Sequence, residues 1–180
     1  MKKKIISLLV LVTLLLTATL FAACTKNEEY TISDCVFSSF TAEDYDGNIV
    51  DETVFSEYKV TMINVWGTFC NPCKTEAPEL AEINSEYADK GFQVIGIPVD
   101  VNRNSAADAR EVIAETNADF RHLKVSNSIK QFVLGTEHLP YTIFVNSEGK
   151  QIGKAYSGAK NKQNWETVIK SILDFINSNS

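Results

Sequence analysis

The chain is short of histidine, of paired cysteine motifs and of positive charge, and each shortage removes a class of function. Its 180 residues include two histidines, His122 and His138, and four cysteines, of which Cys70 and Cys73 alone are spaced as C-x-x-C. A structural zinc site needs four ligands, and no second C-x-x-C supplies them. Basic residues number 17 against 23 acidic ones. Nucleic-acid binding relies on basic surface, as does adhesion to anionic lipid headgroups, so neither is expected. No internal repeat or low-complexity segment is present. A domain of this length buries a full core without disulfide staples. The cysteines therefore need a chemical explanation rather than a mechanical one.

What is present begins at the N-terminus. Lys2, Lys3 and Lys4 precede an apolar run from Ile5 to Ala23, and the small residues Ala22 and Ala23 precede Cys24. That order is a secretory signal peptide over residues 1–23. Leu20-Phe21-Ala22-Ala23-Cys24 resembles a bacterial lipobox, with Phe21 where Leu is commonest. The resemblance implies cleavage before Cys24 and a diacylglyceryl thioether on its sulfur, making the lipid the membrane anchor. Two other readings stay open: an uncleaved anchor, since the run nearly spans a bilayer, and cleavage elsewhere with Cys24 incidental. All three place the remainder outside the cytoplasm, where disulfides form and persist. Removing residues 1–23 deletes three lysines and no acid, leaving 14 basic against 23 acidic residues, a net −9. Residues 24–34 are polar and aperiodic and read as a tether; ten extended residues reach at most about 33–36 Å. The domain is then 35–180.

Within it, elements alternate. Phe37 and Phe40 flank an expected short strand, and Asp46-Gly47-Asn48 signals a hairpin turn. Strands are expected at 59–65 and 92–99, both rich in β-branched residues. A helix is expected over 72–90, with Cys73, Ala77, Leu80, Asn84 and Tyr87 on one face and Gly91 as its stop. Helices follow at 105–116 and 129–134. Strands at 141–145 and 150–156 form a hairpin about Ser147-Glu148-Gly149, and a last helix covers 162–176 with Trp165, Val168, Ile169, Ile172, Phe175 and Ile176 inward. Alternation of this kind means an α/β domain with parallel strands covered by helices, and the closing hairpin makes the sheet mixed.

The informative segment is Val65-Trp66-Gly67-Thr68-Phe69-Cys70-Asn71-Pro72-Cys73, where a strand ends, a helix begins, and C-x-x-C sits at the junction. The first backbone N–H groups of a helix lack internal partners, and the helix dipole adds positive charge there. Both stabilise a thiolate at Cys70, the attacking species in disulfide exchange. Cys73 lies one turn further in and attacks back to release a mixed disulfide. Pro72 suits the first turn, where a missing N–H costs nothing. The alternative is a static disulfide, but so short a loop stabilises little. Cys35 is left over; the favoured reading is a small buried hydrophobe, the other a spare thiol.

This segment resembles the thioredoxin superfamily, and more closely its extracytoplasmic TlpA- and ResA-like reductases. Cys73-Lys74-Thr75-Glu76-Ala77-Pro78 is similar to the family's C-x-x-E-x-P continuation, and His138-Leu139-Pro140 with Tyr141 to Val145 is similar to its cis-proline strand. Ser147-Glu148-Gly149-Lys150, Ile152 and Gly158 resemble its hairpin and closing glycine. The resemblance implies a thioredoxin-like fold: a central mixed β-sheet flanked by helices, with an N-terminal β-hairpin extension and a strand–helix insertion of the TlpA/ResA/peroxiredoxin type. It implies no cofactor beyond the Cys70–Cys73 disulfide. Pro140 would be cis beside Cys70, exposing the Leu139 backbone to an extended substrate by strand addition, and Trp66 and Phe69 would rim the sulfur. Glu76 would handle the proton of Cys73, three residues away on adjacent parts of one helix face. Cytoplasmic thioredoxins place an aspartate six residues before the first cysteine, where this chain has Asn64, which does not titrate. Glu76 read without the family is a solvated helix carboxylate. The implied function is a protein-disulfide reductase, monomeric, fed by a CcdA- or DsbD-type membrane electron donor. Its partners would be exported protein disulfides, such as those of apocytochrome c or a surface methionine sulfoxide reductase.

Three other functions compete. A disulfide-forming oxidase has the same motif. A thiol peroxidase would need Thr three residues before the cysteine and Pro four earlier still, where Gly67 and Ile63 stand. A copper-binding lipoprotein would use Cys70, Cys73 and His138, although copper-delivering relatives carry C-x-x-x-C, which leaves His138 a loop residue. Titration with Cu(I) separates that last reading: the expected result is insulin reduction without stoichiometric tight copper binding.

Overall fold

The structure is a computed structural model that describes residues 30–100 and 105–179; the expected signal segment and Cys24 lie outside the described residues. In chain order the strands are β1 (Ile32–Ser33), β2 (Thr41–Glu43), β3 (Ile49–Asp51), β4 (Val60–Trp66), β5 (Phe92–Pro98), β6 (Arg121–His122), β7 (Tyr141–Asn146) and β8 (Gln151–Ser157). The helices are α1 (Asn71–Tyr87), α2 (Ser105–Glu115), α3 (Lys130–Leu134) and α4 (Lys162–Ser178). Six strands form one sheet in the order β1-β8-β7-β4-β5-β6, and β2 and β3 form a separate hairpin. β4, β5 and β6 run parallel, whereas β7 and β8 are antiparallel additions. This is the mixed, helix-flanked sheet that the resemblance implies.

The central strands β4 and β5 are buried along their whole length. Period-two alternation therefore splits their side chains between two cores. Val60, Met62, Phe92, Val94 and Phe144 pack toward α1 and α4, against Leu80, Ile83, Trp165 and Ile169. Ile63, Val65, Ile95, Ile97, Ile143 and Val145 face the opposite core, closed by Phe37, Phe55, Leu123 and Ile129. On the first face, one polar row interrupts the apolar ones. Asn64 stands opposite Gly96 on one side and Thr142 on the other. That row lies at the end of the sheet where α1 begins.

Several expectations shift. Phe37 sits in a 3₁₀ turn at Val36–Ser38 and Phe40 just before β2 at 41–43, so the two do not flank one strand. Both rings are buried and meet edge to face at 5.5 Å. Two residues three apart on one side is a turn spacing, which a strand's alternation forbids. The expected tether also loses its last residues to the domain. Tyr30 is buried with its ring on Gly153 and 5.5 Å from Phe175, and Ile32–Ser33 pair with Gln151–Ile152. The cause is the one aromatic in a polar stretch, which finds a groove over a glycine. On α1 the buried stripe is Cys73, Glu76, Leu80, Ile83 and Tyr87. It includes Glu76 and Ile83 rather than Ala77 and Asn84, because the glutamate has partners inside.

The hairpin turn of β7 and β8 is the tightest point of the fold. At Gly149, φ is +70°, and a Cβ there would stand 2.1 Å from the Phe37 carbonyl oxygen. Both the left-handed backbone and a clash with main chain oppose a side chain. Gly149→Ala is expected to cost about 3 kcal/mol, read as a lowered urea midpoint with an unchanged m-value.

Candidate active site

Cys70 is the N-cap of α1, directly after the turn that leaves β4. It forms a disulfide with Cys73, with Cα atoms 5.3 Å apart. The Cys73 amide donates to Cys70 Sγ at 3.3 Å, so an orphan helix N–H points at that sulfur. The turn between is braced by Asp100, which accepts from the Thr68 amide at 3.2 Å and from the Thr68 hydroxyl. The Leu139–Pro140 peptide is cis, and the Pro140 carbonyl accepts from the Gly158 amide at 2.9 Å.

The two sulfurs face different surroundings. Cys70 opens onto a groove of about 840 Å³ bounded by Phe69, Pro72, Leu134, His138 and Leu139. Phe69 and Leu134 are 71% and 67% exposed, an unusual pair of bare apolar side chains beside a disulfide. Both cysteines are buried, and Cys73 borders a cavity of only about 10 Å³, shared with Asn64, Trp66, Lys74 and His122. That space holds at most about one water molecule. Any proton leaving Cys73 must therefore find a protein group nearby.

Glu76 lies about one turn further along α1. It is 2% exposed, on the α1 face that carries Cys73. Its Oε1 accepts from Trp165 Nε1 at 2.7 Å and from the Lys160 amide at 2.8 Å. Its Oε2 has one long donor, Asn64 Nδ2 at 3.3 Å, which also donates to Thr142 Oγ1 at 3.1 Å. Oε1 is saturated and Oε2 is not, so Oε2 is the oxygen with room for a proton. Burial pushes the carboxyl above its ordinary range, while the Lys160 amide, Trp165, Asn64 and the Lys160 charge pull it back. A solvated helix carboxylate would have none of these partners.

Trp66 does not rim the sulfur. It is 6% exposed and packs behind the cysteines with Tyr45, Ala109 and Val112. Alternation along β4 puts it on the inner face with Met62 and Asn64. Its Nε1 donates to His122 Nδ1 at 3.3 Å, so His122 Nε2 carries the proton and donates to the Ala118 carbonyl at 3.1 Å. Burial holds the His122 pKa down to about 4, which keeps the ring neutral. Gly96 makes this contact fit, since a Cβ there would meet His122 Nδ1 at 2.3 Å. Phe69 does reach the groove edge. His138 is exposed on the groove, and among the described residues no group of three His, Cys, Asp or Glu side chains is arranged to hold a metal ion. Cys35 lies apart from the disulfide, half-buried, with its thiol donating to the Gly149 carbonyl at 3.1 Å.

Trp165, Lys160, His122, Tyr45 and Leu134 all escaped the sequence reading as parts of this site. Tyr45 shares one buried cluster with both cysteines, and its hydroxyl lacks a hydrogen-bond partner among the described residues. Burial, with the Asp100 charge nearby, pushes its pKa up to about 12, so it stays protonated. The hairpin that carries it was legible, but its contact with the disulfide was not.

Comparison with known proteins gives a consistent setting. The AhpC/TSA family profile matches residues 34–171. The thiol-disulfide oxidoreductase ResA of Halalkalibacterium halodurans is 28% identical over 137 residues, covering 74% of this chain and 73% of that protein. ResA of Bacillus cereus is 25% identical over 150 residues, covering 74% and 75%. A putative thiol:disulfide interchange protein DsbE from Chlorobium tepidum superposes with a TM-score of 0.63 at 20% identity, covering 77% of this chain and 93% of that one. A secreted disulfide oxidoreductase of Mycobacterium tuberculosis gives 0.57 at 18% identity, covering 71% and 92%.

The buried carboxyl makes stability depend on pH. A carboxyl whose pKa is raised by folding contributes stability below its unfolded pKa, and that stability is lost as pH rises through the folded value. Glu76→Gln removes the titration and keeps an acceptor for Trp165 and Lys160, with Asn64 turning its amide to accept. Urea unfolding from pH 4 to 8 is expected to show the native protein losing stability relative to Glu76→Gln above the ordinary carboxylate range.

Proposed function

Because this chain belongs to the AhpC/TSA family and is a thiol–disulfide oxidoreductase of the ResA kind, we propose that it reduces disulfides of exported proteins outside the cytoplasm. The observation that carries this reading is the Cys70–Cys73 disulfide at the mouth of α1, with Cys70 bordering an open groove and Cys73 three residues before a buried glutamate on the same helix face. In the reduced protein the Cys70 thiolate attacks a substrate disulfide. A mixed disulfide forms at Cys70 and one substrate thiolate leaves. Cys73 then gives its proton to Glu76 Oε2 and attacks Cys70 Sγ. The Cys70–Cys73 disulfide forms, the second substrate thiolate leaves, and two electrons have passed to the substrate. Burial brings the carboxyl toward the thiol range, which suits a proton acceptor for a cysteine. Asn64 occupies the place of the aspartate of cytoplasmic thioredoxins and hands the carboxylate a single weak donor, consistent with Glu76 as the titrating group.

Substrate would lie extended in the groove, its backbone along Leu139 and Pro140, its apolar side chains on Phe69 and Leu134. Trp66 acts from behind, fixing the wall against which the cysteines pack. The domain is tethered through a thioether on Cys24, works as a monomer, and is recharged by a membrane donor of the CcdA or DsbD type. Apocytochrome c and methionine sulfoxide reductase are the substrate classes to try first. A peroxidase role is disfavoured by Gly67 and Ile63 in the peroxidatic positions.

The test is stepwise. The reduced protein is expected to reduce insulin, and Cys73→Ala to accumulate a mixed disulfide through Cys70. Glu76→Gln is expected to slow resolution about 10²-fold or more, the scale of a lost general base, and to flatten its pH profile. A potential for the pair near the thioredoxin value of about −270 mV supports a reductant, and one near −120 mV makes the protein a disulfide-forming catalyst.

A further inference from the structure

The segment between β8 and α4 touches the site twice. The Gly158 amide holds the Pro140 carbonyl at 2.9 Å, and two residues later the Lys160 amide holds Glu76 Oε1 at 2.8 Å. The Lys160 side chain then folds over the aromatic pair behind that carboxylate. Its ammonium lies 5.4 Å from the Trp165 ring centroid and 5.5 Å from that of Tyr156, and the two rings meet edge to face at 5.6 Å. Trp165 in turn donates to the same Oε1. A cation within about 6 Å of a ring face is attracted to it, so the rings hold this positive charge close to the carboxylate.

We propose that Lys160 is a positioning residue that sets the charge state of Glu76: its backbone orients the carboxylate, and its ammonium, seated on Tyr156 and Trp165, favours the ionised form that accepts a proton. The proposal deepens the reading of Glu76 as proton acceptor and rests on it. The groups around Glu76 are few. β4 presents Asn64, β7 presents Thr142 behind Asn64, α4 presents Trp165 and the loop presents Lys160; Cys73 and Glu79 lie three residues either way along its own helix, and on β8 the Lys154 ammonium is 5.7 Å from the Tyr156 ring. Glu79 accepts from the Lys162 amide, and the Lys162 ammonium is committed to Glu82 and Glu86 at 2.8 and 2.7 Å. Lys160 is the cation whose charge acts on Glu76, opposing the burial that favours the neutral form. A thiol sealed from water needs a carboxylate, not a carboxylic acid, next to it. Loss of that cation leaves the burial less opposed and moves Glu76 toward the neutral form, which cannot accept a proton.

Lys160→Gln and Lys160→Arg separate charge from packing, since both keep the backbone N–H and replace a side chain that is only half-buried. Two readouts are taken on the full chain. One is the titration of the Glu76 carboxyl stretch in infrared difference spectra, identified by its loss in Glu76→Gln. The other is the pH profile of insulin reduction. Lys160→Gln is expected to move the carboxyl titration upward by about half a pH unit, less than the one to three units of a desolvated pair because the ammonium remains partly in water. Lys160→Arg is expected to stay near the native value, and the rate profile to follow the carboxyl in each case. No movement with Lys160→Gln, or equal movement with both variants, overturns the proposal. A carboxyl that moves while the rate profile stays fixed supports the link from Lys160 to Glu76, and rejects instead the role of Glu76 in catalysis.

Discussion

The carboxylate of Glu76 is the interaction on which the site depends. A charge-bearing group with 2% exposure is tolerated only when hydrogen-bonded, and its donors arrive from three separate elements: Asn64 from β4, Trp165 from α4 and the backbone of Lys160 from the loop before it. Those contacts bind α1 to the sheet at the very end that presents the cysteines. The same loop holds the carbonyl of Pro140. Glu76 and the cis-Pro140 carbonyl are thus fixed to one another through one short stretch of backbone. Loosening the glutamate would loosen the frame that aims both sulfurs.

Polar placement on the sheet makes this arrangement possible. Along β4 the inward face reads Val60, Met62, Asn64, Trp66, so an apolar core gives way to polar function as the strand approaches α1. The neighbouring strands give way in step. Gly96 on β5 withdraws its side chain to admit His122, and Thr142 on β7 supplies an acceptor for Asn64. The small cavity beside the inner cysteine is lined by the neutral polar groups of Asn64, Trp66 and His122, by apolar side chains and by Lys74. In surroundings of low dielectric each of these polar groups depends on its hydrogen bonds.

Much of this was legible in the order of residues. β4, β5 and β7 are apolar runs bounded by turns, and the cysteines stand where a strand gives way to a helix. Pro140 drew attention through its setting rather than its intrinsic preference. The two-residue strands β1 and β6 were not legible, because their existence depends on a partner strand and not on their own composition. Trp165 read as one more apolar residue on an amphipathic helix, since a sequence reports a ring's size and not where its N–H points. Trp66 was placed at the rim, when strand alternation with Asn64 already put it on the inner face. Lys160 lies between the expected last strand and last helix, and Glu76 stands out through the C-x-x-E-x-P resemblance, its spacing alone being that of a solvated helix carboxylate.

The packing of Tyr30 over Gly153 and the pairing of Ile32–Ser33 with β8 bear on mechanics as well as folding. If a lipid on Cys24 holds the protein, five residues, 25–29, separate it from Tyr30, and five residues span at most about 18 Å. That is roughly half of what the whole polar stretch would allow. The domain then works like a tool on a short lanyard, hung from the edge strand of its sheet. Partners must come to within a small radius of the membrane surface, and those that present their disulfides far from it are filtered out by distance alone, before any contact in the groove is made.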